Sequence, residues 1–199
     1  MISLPTLPNW NGLHPLIVHF PIALLLVAPF FVVLGAVLSP QKGRAFLHSA
    51  MIMMVMGTLS LFLATETGEA AGRIAGEAPL TKQVLEQHEE LAETTQVLFA
   101  GLSVAFAALL FVPGIARREL SRTLGTAMLA AFLILYSTGV LFLGNTAHQG
   151  GRLVHELGVK AKITPAVAPA QVSAAGIPTS VSSGHDEFAE VSKGGFYDD

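Results

Sequence analysis

Four stretches of this chain are long and apolar enough to cross a lipid bilayer, and nothing else in the sequence constrains the fold as strongly. A hydrocarbon core of roughly 30 Å takes about 20 mostly apolar residues in a helix. Runs of that kind extend from His14 to Leu38, from Phe46 to Thr65, from Thr94 to Val112 and from Leu124 to Gly144. Ser39-Pro40 stops the first, and Pro113-Gly114 the third. Composition agrees: 52% of residues are hydrophobic and 13% charged, with a mean hydropathy of +0.60, whereas soluble domains carry roughly 25% charge. The expected fold is all-α, a four-transmembrane-helix bundle. The first run lacks a positive start and a small-residue cleavage site, so it is expected to stay in the mature protein rather than act as a signal peptide.

The loops give the expected orientation, because short cytoplasmic loops are enriched in Lys and Arg. Lys42 and Arg44 lie between the first two runs, and Arg117, Arg118 and Arg122 between the last two. The loop between them, from Glu66 to Glu93, is acidic, with Glu66, Glu69, Glu77, Glu86, Glu89, Glu90 and Glu93 against Arg73 and Lys82. Both termini and this acidic loop therefore face outward, which is periplasmic for a bacterial inner membrane protein. Within the loop, Pro79 followed by Leu80, Val84, Leu85 and Leu91 predicts an interfacial amphipathic helix leading into the third span. The expected organisation is an outer N-terminal segment (1–13), a membrane domain (14–159) and a flexible periplasmic tail (160–199). The tail is rich in Ala, Pro, Ser and Gly and reads as disordered.

A net charge of −3 with scattered cations leaves no footprint for nucleic acid. The absence of cysteine excludes disulfides, thiolate metal sites and covalently attached haem. Any cofactor is held by His, Met or carboxylate.

The histidines supply the candidates. By topology His14, His19, His88, His148 and His155 share the outer side, His48 lies at the cytoplasmic edge, and His185 in the tail. Ionisable side chains in or beside membrane helices are costly and mark functional sites. His14 and His19 are five residues apart and point about 140° apart on a regular helix, so one ligand does not take both. His19 sits a turn deeper and is the better inward candidate. His14 precedes Pro15 and is expected to be extended at the membrane surface. His148 and His155 share a face about 10 Å apart if the helix continues through Gly150-Gly151. A b-type haem needs two axial imidazoles from facing helices, and His19, His88, His148 and His155 offer one or two such pairs. Arg73 and Arg152 are available for haem propionates. Close approach of a porphyrin favours small residues, and Gly57, Gly68, Gly101, Gly139 and Gly144 are present, although glycine also serves plain packing between membrane helices. The rival is a His/Glu divalent-metal site in which Glu66, Glu69, Glu86 or Glu89 join His88 and another histidine. "EQHEE" lacks the Glu-x-x-His spacing of di-iron bundles. A third reading is a cofactor-free accessory or scaffold subunit of a larger membrane complex.

Four segments taken together, "LHPLIVHFPIALLL", "ATETGEAA", "HEELAETT" and "GGRLVHELGV", resemble the four-helix membrane proteins of domain of unknown function family 2231. The resemblance covers roughly residues 13–159. It implies a membrane redox subunit that partners periplasmic redox proteins of cytochrome or Rieske type, with His19, His88 and His155 ligating haem iron; the expected electron partner is a cytochrome or a quinone. Family members usually close on His-Gly, whereas here Glu156-Leu157 intervene before Gly158. The sequence thus leads to the expectation of a b-type cytochrome-like electron-transfer subunit, more a carrier than a stand-alone enzyme, with one or two haem b near the periplasmic face.

Overall fold

The computed structural model describes residues 8–76, 78–117 and 121–160. The expected tail from 161 onward lies outside them. After a 3-10 turn at Trp10–Gly12, the chain forms α1 (His14–Ile17), α2 (His19–Val37), α3 (Pro40–Gly72), α4 (Pro79–Ile115) and α5 (Arg122–His155), with no strand among the described residues. Four segments are long and apolar enough to span a membrane: His14–Val37, Pro40–Gly72, Pro79–Ile115 and Arg122–His155.

Helix starts follow local chemistry. Pro40 and Pro79 occupy first-turn positions, where the missing N–H is no loss. Ser121 caps α5 by accepting from the Leu124 N–H at 3.3 Å. Pro21 cannot donate to the Ile17 carbonyl, and α1 and α2 separate at the following residue, Val18. The expected loop helix is no separate element. It is continuous with the third span, so α4 runs 37 residues. The helix α5 likewise passes through Gly150-Gly151 to His155 without a break.

The helices α2 and α3 form one antiparallel hairpin and α4 and α5 another. The N-terminal ends of α2 and α4 and the C-terminal ends of α3 and α5 gather at one end, called here the histidine end. The turn Leu38–Ser39, the C-terminal end of α4 and the N-terminal end of α5 lie at the other, the turn end.

Between the hairpins the core stacks Phe106 on Phe132 at 4.9 Å and sets Phe99 edge-on to Tyr136 at 5.4 Å. Helices in lipid gain little from hydrophobic burial against each other, so close approach at small residues and interhelical hydrogen bonds hold them together. Both devices are present. A methyl on Gly57 would come within 2.7 Å of Leu25, and one on Gly139 within 2.9 Å of Leu102. The Tyr136 hydroxyl donates to the Leu25 carbonyl at 2.7 Å, and Thr58 and Ser103 share a 3.0 Å hydrogen bond. The remaining apolar surface, including Phe30, Val104, Ile134 and Leu141, is exposed, as a lipid-facing bundle requires.

Candidate functional site

At the histidine end, two imidazoles from different hairpins meet. His14, in the first turn of α1, places Nδ1 2.9 Å from the Ala64 carbonyl of α3. His88, in the third turn of α4, places Nδ1 2.9 Å from the Thr146 carbonyl of α5. A carbonyl only accepts, so each Nδ1 carries the proton and donates, which leaves Nε2 of each ring as a lone pair. Neither Nε2 has a hydrogen-bond partner among the described residues. The ring centres are 6.4 Å apart and the ring planes cross at 83°.

Each ring also rests on a glycine one turn beyond its carbonyl. A methyl on Gly68 would stand 3.0 Å from His14 Cε1, and one on Gly150 3.0 Å from His88 Cε1. The hydroxyls behind the carbonyls are tied down. Thr67 donates to Leu63 at 2.8 Å and lies 3.4 Å from His14 Nδ1, while Thr95 and Thr146 share a 2.9 Å bond. Bonds of this kind fix the tautomer and orientation of an imidazole before any ligand arrives.

Beside the pair opens a cavity of about 300 Å³ whose lining includes both histidines, Gly68, Glu69, Arg73, Glu89 and Glu93. Arg73 lies 3.8 Å from Glu69, so three carboxylates face one guanidinium and the rim is acidic. Among the described residues no group of three or more His, Asp or Glu is placed to hold a metal ion. A bare-ion site therefore has at most the two imidazoles.

Of the residues expected from sequence, His88 and Arg73 reach the cavity. His19, His148 and His155 are exposed and line no part of it. Arg152 is engaged by Glu156 and Gln149, each at 3.0 Å. His14 is not extended at a surface: it is helical and half-buried, because Pro15 in a first turn initiates a helix instead of preventing one. His14 and Gly150 thus join the site from outside the expected set. The signal for His14 lay in the family-like segments themselves, since "HPLIVHFP", "ATETGEAA" and "HEELAETT" supply His14, the Ala64 carbonyl, Gly68, His88 and the acidic rim.

A four-span helical membrane protein with a positioned imidazole pair at one end of the bundle is the class that fold and site define. The chain belongs to the family described as predicted membrane protein (DUF2231), whose profile matches residues 11–162, the stretch that holds all five helices and both imidazoles. No curated protein and no solved structure matches it.

Proposed function

We propose that the chain is an electron-transfer subunit of the bacterial inner membrane that holds one haem b between His14 and His88. The separation of the two rings carries this reading. Each ring has its Nδ1 proton engaged by a carbonyl and its Nε2 left without a partner, and the ring centres stand 6.4 Å apart, so the two Nε2 lone pairs could hold one metal between them. Ligand count favours a metalloporphyrin over a bare ion. The porphyrin brings its own four nitrogens and asks the protein for two, the number of imidazoles that meet here. When bound, haem supplies a reversible one-electron couple.

The chain's own residues do the rest. The Ala64 and Thr146 carbonyls hold each imidazole in the ligating tautomer and strengthen its donation. Gly68 and Gly150 leave room for the Cε1 edge of each ring against α3 and α5. The Phe99–Tyr136 and Phe106–Phe132 pairs close the bundle beneath against water. The charges of the loops, read by the positive-inside rule, turn the histidine end toward the periplasm, where a cytochrome or a quinone exchanges the electron.

Detergent-purified protein, from cells supplied with iron and haem precursor, should show a b-type reduced-minus-oxidised spectrum and one haem per chain by pyridine haemochrome. His14→Ala and His88→Ala should each abolish it. Colourless wild-type protein would sink the reading and leave the imidazoles as interhelical ties of an accessory subunit. Orientation has its own test, eased by the absence of native cysteine. A cysteine at Glu90 should react with an impermeant maleimide on intact spheroplasts, and one at Lys42 should not.

A further inference from the structure

The two hairpins repeat one another. All four buried residues of α2 recur as buried residues of α4 at one spacing of 74 residues: Pro21 with Thr95, Leu25 with Phe99, Ala28 with Leu102 and Val32 with Phe106. The buried face of α3 recurs in α5 at one spacing of 82, as in Met54 with Tyr136, Gly57 with Gly139 and Leu61 with Leu143. Contacts repeat with the register: Gly57 lies under Leu25, and Gly139 under Phe99. The site obeys the same two spacings. His88 follows His14 by 74, while the Thr146 carbonyl and Gly150 follow the Ala64 carbonyl and Gly68 by 82. Both hairpins run in the same direction through the bundle, so a pseudo-two-fold axis along the bundle relates them and passes between the imidazoles.

That axis gives the site two sides. The acidic cavity occupies one of them, between α3 and α4. By the same spacings, Glu69 corresponds to Gly151, Arg73 to His155, Glu89 to Pro15 and Glu93 to His19. The side between α2 and α5 therefore has no carboxylate at any of these positions and presents two imidazoles, both exposed. A methyl built on Gly151 would meet nothing within 4 Å, so space is open there. A ligand bearing carboxylates is repelled by Glu69, Glu89 and Glu93 on the first side and meets none of their counterparts on the second, where the side chains able to donate at these positions are His19 and His155.

We infer that the α2–α5 side is a second face of the site, on which His19 and His155 receive the carboxylate groups of the ligand held by His14 and His88. This rests on the haem reading above, in which those carboxylates are the two propionates.

The test titrates detergent-solubilised apo-protein with ferric haem and with its dimethyl ester, the same porphyrin with both acids capped, following the Soret band. Wild-type protein should prefer haem. The His19→Ala/His155→Ala double variant should weaken haem about a hundredfold, roughly tenfold for each of two lost charge-assisted hydrogen bonds, and leave the ester unchanged, which also certifies its fold. Arg73→Ala should leave the preference intact. If the double variant keeps the preference, or Arg73→Ala removes it, the acids lie on the acidic side and the inference fails while the haem reading stands. If wild-type protein binds neither porphyrin, both fail.

Discussion

The two ends of the bundle each carry imidazole, and they use it differently. At the turn end His48 faces the carbonyl of Arg44, four residues back on its own helix, at 2.7 Å; it is exposed and lies edge-on to Phe111 at 6.1 Å. At the histidine end His14 and His88 each donate to a different helix, are half-buried and rest on glycine. A hydrogen bond within one helix costs the ring no burial and orders nothing beyond its own turn. A bond across helices fixes the ring relative to the rest of the fold, which is the condition for aiming its second nitrogen at something. The contrast separates a solvated histidine from a positioned one on geometry alone.

The strongest way to break the contrast is to remove the rings. Beyond losing haem, His14→Ala and His88→Ala should each destabilise the protein by about 1–3 kcal/mol, because each removes a half-buried ring together with its hydrogen bond to another helix. Thermal unfolding in detergent would show it, and equal stability of both variants with wild type would put them on a par with His48. Overfilling the hairpin contacts comes next. Gly139→Val should cost about 1–3 kcal/mol by driving a branched side chain into Leu102 and Phe99. Gly144→Ala, where nothing lies within 4 Å, should be neutral or slightly stabilising in the same assay. Tyr136→Phe should cost about 0.6–1.7 kcal/mol, the range for hydrogen bonds between membrane helices. Gly68→Ala and Gly150→Ala sharpen the comparison within the histidine end: each should shift the Soret band by a similar amount, and a shift in only one would deny the equivalence of the rings. The smallest effect belongs to His48→Ala, within about 0.5 kcal/mol and without spectral change.

The four spans were legible because hydropathy reports what lipid demands. Their true lengths were not. Expected over 46–65, α3 runs Pro40–Gly72, and expected over 94–112, α4 runs Pro79–Ile115. The polar flanks carry no hydropathy signal and stay helical by packing and propensity. His88 is legible because an imidazole before a span stands out. His14 is hidden by the order of two proline rules: Pro15 disfavours helix in the residue before it, but a proline in the first turn also starts helices, and here the second prevails. The choice of His19 follows from depth. Depth did not decide which ring meets its partner: His14, one turn earlier, faces His88, while His19 is exposed and lines no part of the cavity. The repeat is faint in the sequence because most of its buried pairs share position and not identity: Met54 answers Tyr136, and Ala28 answers Leu102. Leu61 and Leu143, together with the paired glycines and histidines, keep both.

The reach of α4 beyond the apolar run has an electrical consequence. Thr94 begins the part of α4 that is apolar enough to lie in hydrocarbon, and His88 stands six residues before it, about 9 Å along a helix that rises 1.5 Å per residue. Moving one elementary charge through the full hydrocarbon thickness takes about 2.3 kcal/mol per 100 mV of membrane voltage. A charge placed between the two rings crosses little of that drop, so its midpoint potential should stay nearly constant whether the membrane is energised or collapsed.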